Sequence, residues 1–91
     1  MKPVHEESWF PWVQVLTYDV IQRQRPVEFA DQVIRDVVDA HACGGSEKDY
    51  LDAARGALAS GRDLGESYDM QQGDRAVREF LEAIVRKLES R

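Results

Sequence analysis

His41 and Cys43, two residues apart behind Asp36 and Asp39, come nearest to a metal-binding pattern in this sequence. A tetrahedral zinc site needs four ligands, ordinarily supplied as two spaced pairs. Here there is one pair: His5 is the only other imidazole and Cys43 the only cysteine. The spacing therefore predicts no zinc site, and a helix-terminal imidazole beside a half-buried thiol is the simpler reading. Residues 63–74 form a second superficial match, an acid-rich stretch with the length of a calcium loop. Its sixth position holds Tyr68 where the sharp turn needs glycine. Its third holds Gly65 where an acid is needed, and its twelfth holds Asp74 instead of glutamate. No serine or cysteine stands with a histidine and an acid placed to activate it, and no glycine-rich phosphate loop follows a strand. The carboxylate pairs fall at the spacings of a solvated helix face. No catalytic residue, cofactor or metal is assigned, and the chain reads as a non-enzyme.

What remains is charge. The 17 acids and 12 bases leave a formal charge of -5 over 91 residues. That balance disfavours a nucleic-acid backbone or an anionic membrane surface as partner. The charge is also unevenly placed. Residues 1–25 balance, residues 26–74 carry eleven acids against four bases, and residues 75–91 carry five bases against three acids. The middle segment is thus -7 and the last one +2. A helix-turn-helix DNA reader would need bases in that middle segment, so it is disfavoured as well. Two readings of the acids compete: a solvated surface that maintains solubility, or a face presented to a basic protein. The second reading selects Asp36, Asp39, Asp49, Asp63, Glu66 and Asp69, with Tyr50 and Tyr68 as interface anchors. Against it stands the alternative that Leu64, Tyr68 and Met70 fold back to cap the core. Trp9, Phe10 and Trp12 form the densest aromatic cluster, read as core packing or as a dimer or partner patch.

The elements that must position these residues follow from apolar spacing and punctuation. The length suits a single domain, residues 1–91. No run approaches the 18 apolar residues of a membrane span, and Met1 to Glu7 lacks an export-signal pattern. With a lone cysteine, this fits a reducing, cytoplasmic setting. From Ser8, a possible N-cap, to Gln24, the residues Trp9, Val13, Leu16 and Val20 share one helical face. The β-branched and aromatic run Val13 to Ile21 also permits a strand, with helix preferred. Pro26 opens a second helix with Phe29, Ala30, Val33, Ile34, Val37, Val38 and His41 on its stripe, ended by Gly44-Gly45. Ser46 and Asp49 resemble a capping box ahead of a third helix, in which Tyr50, Leu51, Ala54, Ala57 and Leu58 face inward. Residues 61–73 read as a long loop with one helical turn near Ser67 to Gln71. Asp74 then caps a last helix striped by Val77, Phe80, Leu81, Ile84, Val85 and Leu88. The expected fold is all-α: a small bundle of about four helices with a longer loop between the third and fourth.

In this profile, small, acidic and helical with tyrosines near acids, the chain resembles the proteins that bacteria use to neutralise toxins, such as DNase-colicin immunity proteins. No inhibitory motif of that family matches residue by residue, so the resemblance assigns no site. The excess of arginine over lysine, nine to three, is in keeping with a GC-rich bacterial genome. The resemblance implies a stoichiometric inhibitor, an immunity protein or antitoxin, whose acidic face blocks a basic, nuclease-type toxin. The alternative from a different class is a helical adaptor or regulatory subunit that docks through Trp9, Phe10 and Trp12, with a homodimer as one form.

Overall fold

The chain folds as the periodicity predicts, into helices alone among the described residues. The computed structural model describes residues 3–91. A short 3-10 turn, Val4–Glu6, leads into α1, Phe10–Tyr18. The strand alternative for this segment is not adopted: Trp9, Val13, Leu16 and Val20 are all buried, as one helical face requires. Two details differ from the sequence reading. Trp9 occupies the N-cap position with no side-chain cap, so Ser8 does not serve there. The helix also stops at Tyr18 instead of Gln24, and turns carry the chain to Pro26.

We label residues 26–38 α2, because three kinds of helical turn run on without a break. Pro26–Phe29 is 3-10, Ala30–Val33 is α and Ile34–Val38 is π. The π turn is closed by an Asp39 N–H that reaches five residues back to the Ile34 carbonyl at 2.8 Å. Ala30, Val33, Ile34, Val37 and Val38 are buried, whereas His41 at the end of the predicted stripe is exposed. The reversal also begins earlier than the two glycines. His41 (φ 53°) and Cys43 (φ 55°) already adopt left-handed backbone, which is uncommon without glycine. The extra residue in the π turn advances the chain past its α-helical register, and the reversal follows directly.

Ser46 and Asp49 do form a reciprocal capping box. The Asp49 N–H donates to Ser46 Oγ at 3.2 Å, and the Ser46 N–H donates to Asp49 Oδ2 at 2.9 Å. α3, Glu47–Ala59, buries Tyr50, Ala53, Ala54 and Ala57, while Leu51 and Leu58 are half-buried. The loop holds its one helical turn at α4, Leu64–Ser67, ahead of the expected place. Asp63 caps it, accepting from the Glu66 N–H at 2.9 Å. α5, Asp74–Glu89, begins after Gly73, so Asp74 is its first residue and not its cap. The Asp74 carboxylate turns instead to the Leu64 N–H at 2.7 Å and the Arg78 guanidinium at 2.8 Å. It thereby ties α4 to α5.

α5 is the central rod. Val77, Phe80, Leu81, Ile84 and Leu88 are buried, with only Val85 of its stripe half-buried. Burial of those side chains contributes about 10 kcal/mol before chain entropy is counted. The helix packs on α3, on α4 and on the opening turn of α2, and α1 closes the bundle against α3.

Candidate partner-binding surface

Two of the eight side chains selected from sequence are not on the surface. Tyr50 and Tyr68 are 0% and 7% exposed, so neither ring offers contact area to a partner. The Tyr50 hydroxyl donates to the Ala42 carbonyl, and its ring meets Trp12 edge-on, centroids 5.3 Å apart. The Tyr68 hydroxyl donates to the Phe10 carbonyl at 2.9 Å, and its ring stacks on Phe10 at 4.8 Å. Burial pushes both phenols above their ordinary pKa. Leu64, Gly65, Tyr68 and Met70 are all buried, so the 61–73 segment folds back over the core. That is the alternative weighed above, and it supersedes the anchor role for both tyrosines. The aromatic cluster is committed inward too: Trp9 is buried, and Phe10 and Trp12 are half-buried against these same tyrosines.

The six carboxylates all reach solvent, but three of them are occupied. Asp49 belongs to the capping box, and the Ser46 N–H holds its carboxyl below the usual aspartate range. Asp63 caps α4. Asp39 takes a two-armed grip from Arg91, at 2.7 and 2.8 Å, which lowers its pKa. Arg91 also reaches Glu47 at 2.6 Å. Lys87 meets Asp31 at 2.9 Å, and Arg55 bridges to Glu89. Lys87 near the end of α5 and Arg91 just beyond it thus reach the acids Asp31, Asp39 and Glu47. Segment charge therefore overstates the exposed negative potential there.

Asp36, Glu66 and Asp69 remain. Each is exposed and has no ion pair among the described residues. The fold brings Asp36 and Asp69 to opposite flanks of the turn that follows α1. Asp36 shares a depression with Asp19 and Arg23, and Asp69 shares another with Ile21 and Gln72. Gln72 fixes this turn: its amide donates to the carbonyls of Val20 at 3.4 Å, Ile21 at 2.8 Å and Arg23. Glu66 lies on α4, three residues ahead of Asp69.

Sequence reasoning missed two exposed side chains at the end of α1 and in the turn after it. Tyr18 is 76% exposed and Ile21 is 38% exposed, the large apolar residues that the fold leaves outside among those described. A signal for Tyr18 was available. It lies nine residues after Trp9, about two and a half helical turns, which sets it on the face opposite the buried stripe. Beside it runs an apolar groove of about 470 Å³, lined by Gln14, Val15, Tyr18, Asp19, Val37 and Cys43. No group of three or more His, Cys, Asp or Glu side chains among the described residues is arranged to hold a metal ion. No helix among them is long and apolar enough to cross a membrane. No protein family, curated protein or solved structure matches this chain, so its surface chemistry must carry the functional reading.

Proposed function

We propose that this chain is a stoichiometric protein inhibitor, a bacterial immunity protein or antitoxin that occupies the cationic surface of a basic, nuclease-type toxin in the cytoplasm. It acts by binding and catalyses nothing. The observation that carries this reading is that Asp36, Glu66 and Asp69 have no ion pair among the described residues, whereas Asp31, Asp39, Glu47 and Glu89 are engaged by the chain's own bases. Carboxylates without internal partners supply the field that steers a basic protein to the surface. Internally paired ones contribute little to it. Blocking the substrate entrance is sufficient for inhibition, and no mimicry of nucleic acid is required.

The test is co-expression with a basic, nuclease-type toxin domain, sought among the genes that neighbour the one encoding this chain. Growth rescued by the native chain, with a one-to-one complex in sedimentation, supports the reading. The triple variant Asp36→Asn, Glu66→Gln, Asp69→Asn should associate about tenfold more slowly at low salt, and the difference should shrink as salt screens the field. Unchanged toxicity in the presence of the chain, or an association rate indifferent to the three substitutions, would refute it.

A further inference from the structure

We propose that the groove between α1 and the π turn of α2 is an arginine-reading subsite. It would take a basic segment of the protein partner, with an apolar side chain over Val15 and Val37 and a guanidinium against Tyr18, Asp19 and Asp36. This rests on the inhibitor reading for the identity of the partner, but not for the chemistry of the groove.

Three observations converge there. First, Tyr18 leaves a large ring in water on the helix face opposite the core, at 76% exposure. Such a ring offers a flat surface on which a planar cation can lie, and arginine suits it better than lysine because its guanidinium also stacks. Second, the next residue is Asp19, which lines both this groove and the adjoining depression that contains Asp36. Neither carboxylate is held in an ion pair among the described residues. Arg23, the base in the adjoining depression, stacks on Phe29 within it, its guanidinium carbon 4.8 Å from the ring centroid, and makes no ion pair with Asp19 or Asp36. Among the described residues, no base lines the apolar groove itself. Asp19, the acid in that lining, is therefore left to a cation from a partner. Third, Asp36 and Val37 both belong to the π turn. One lines the acidic depression and the other the apolar groove. A π turn is a rare form that recurs at functional sites. Here it sets an acid and an apolar side chain, adjacent in sequence, along two adjoining depressions.

An exposed ring, the Asp19 carboxylate in the groove with Asp36 in the depression beside it, and an apolar floor meet the needs of an arginine beside an aliphatic residue. The ring binds the guanidinium face, the carboxylates accept from its edge, and the floor buries the neighbour. An aromatic anchor among desolvated charge contacts is also the usual composition of an interface hot spot.

The test titrates the full chain with the peptide acetyl-Arg-Leu-Arg-Leu-amide, followed by amide NMR. Acetyl-Lys-Leu-Lys-Leu-amide and acetyl-Glu-Leu-Glu-Leu-amide serve as comparators. The arginine peptide should shift the signals of Val15, Tyr18, Asp19, Asp36 and Val37. It should bind at least threefold more tightly than the lysine peptide, and the glutamate peptide should leave those signals unmoved. Cys43 supplies a second readout, because it is exposed and lines the same groove. Its alkylation by iodoacetamide should slow when the arginine peptide is present. Tyr18→Ala should abolish the preference for arginine, Tyr18→Phe should retain it, and Asp36→Asn should weaken binding of both basic peptides. These side chains are exposed, so thermal melts of the variants should match the native protein. Shifts spread equally over Glu66, Asp69 and the groove, or no advantage of arginine over lysine, would overturn the proposal. If the chain protects against its toxin while Tyr18→Ala leaves that affinity unchanged, the subsite fails and the inhibitor reading stands. If no toxin is blocked but the arginine peptide maps to the groove, the subsite stands and the inhibitor reading fails.

Discussion

Replacing Gly65 by alanine isolates the contact that seats the 61–73 segment on the last helix. Gly65 is buried in α4. A Cβ there would lie 2.5 Å from the Gly73 carbonyl carbon, 2.7 Å from the Asp74 nitrogen and 2.8 Å from the Gly73 Cα. All three atoms are backbone, so no side chain can swing aside and the two segments must separate. Overpacking of this kind costs about 1–3 kcal/mol, and a rigid neighbour sets the cost near the upper end. Alanine's better helix propensity returns about 0.5–1 kcal/mol. A net loss of about 2 kcal/mol should lower the melting temperature by roughly 8–16 °C for a domain of this size. Gly61→Ala is the informative control. Its φ of +75° disfavours a side chain, but a Cβ there would meet nothing within 4 Å. Its cost is the backbone penalty alone, about 1–2 kcal/mol. Thermal unfolding by circular dichroism measures both variants, and hydrogen exchange should show faster opening of residues 64–73 in Gly65→Ala alone. A Gly65→Ala protein as stable as the native one would refute the steric account. A uniform loss without local opening would refute the assignment to this contact.

Two further outcomes follow from the structure. Hydrogen bonds from Arg91 to Asp39 and from Ser46 to Asp49 lower those pKa values; for Asp74, burial raises the pKa but the Leu64 N–H and Arg78 outweigh it. Each folded value lies below the ordinary aspartate value of about 4, so the stabilisation is present above that pH and lost as pH falls through the folded values. The melting temperature should stay level from about pH 7 to 5 and fall below about pH 4; a rise on acidification below that point would contradict the assignment. The second outcome concerns Gln72→Glu, which puts a carboxylate that cannot donate against the carbonyls of Val20, Ile21 and Arg23. It should cost about 2–3 kcal/mol in chemical denaturation and release the turn that presents Tyr18 and Ile21. Stability equal to that of the native protein would count against the clamp.

The features legible in the sequence are those set by neighbours a few residues away. The stripes of α1 and α5 follow from side-chain spacing, and the Ser46–Asp49 box spans three residues. The exposed position of Tyr18 follows from the same helical arithmetic. The π turn is not legible, because its sequence fits an α-helix equally well and tertiary packing decides between them. Tyr68 is hidden for a different reason. Its hydrogen bond to Phe10 joins residues 58 apart, and loop composition does not reveal whether such a contact closes. The pairing of the acids on the candidate surface is hidden for the same reason. Arg91 grips Asp39 across 52 residues, which removes one selected acid from the unpaired set, whereas Asp36, Glu66 and Asp69 have no ion pair among the described residues.

The central place of α5 also sets a schedule for folding during synthesis. Phe80, Leu81 and Ile84 are fully buried, and α2, α3 and α4 all pack on the helix that carries them. Every one of those elements leaves the ribosome before it. At about 5–20 residues per second, the earlier helices wait several seconds without the surface that buries their stripes. They are short and mutually incomplete during that interval, the state in which chaperones and proteases compete for a chain. The core cannot be fully buried until residues 74–89 become available.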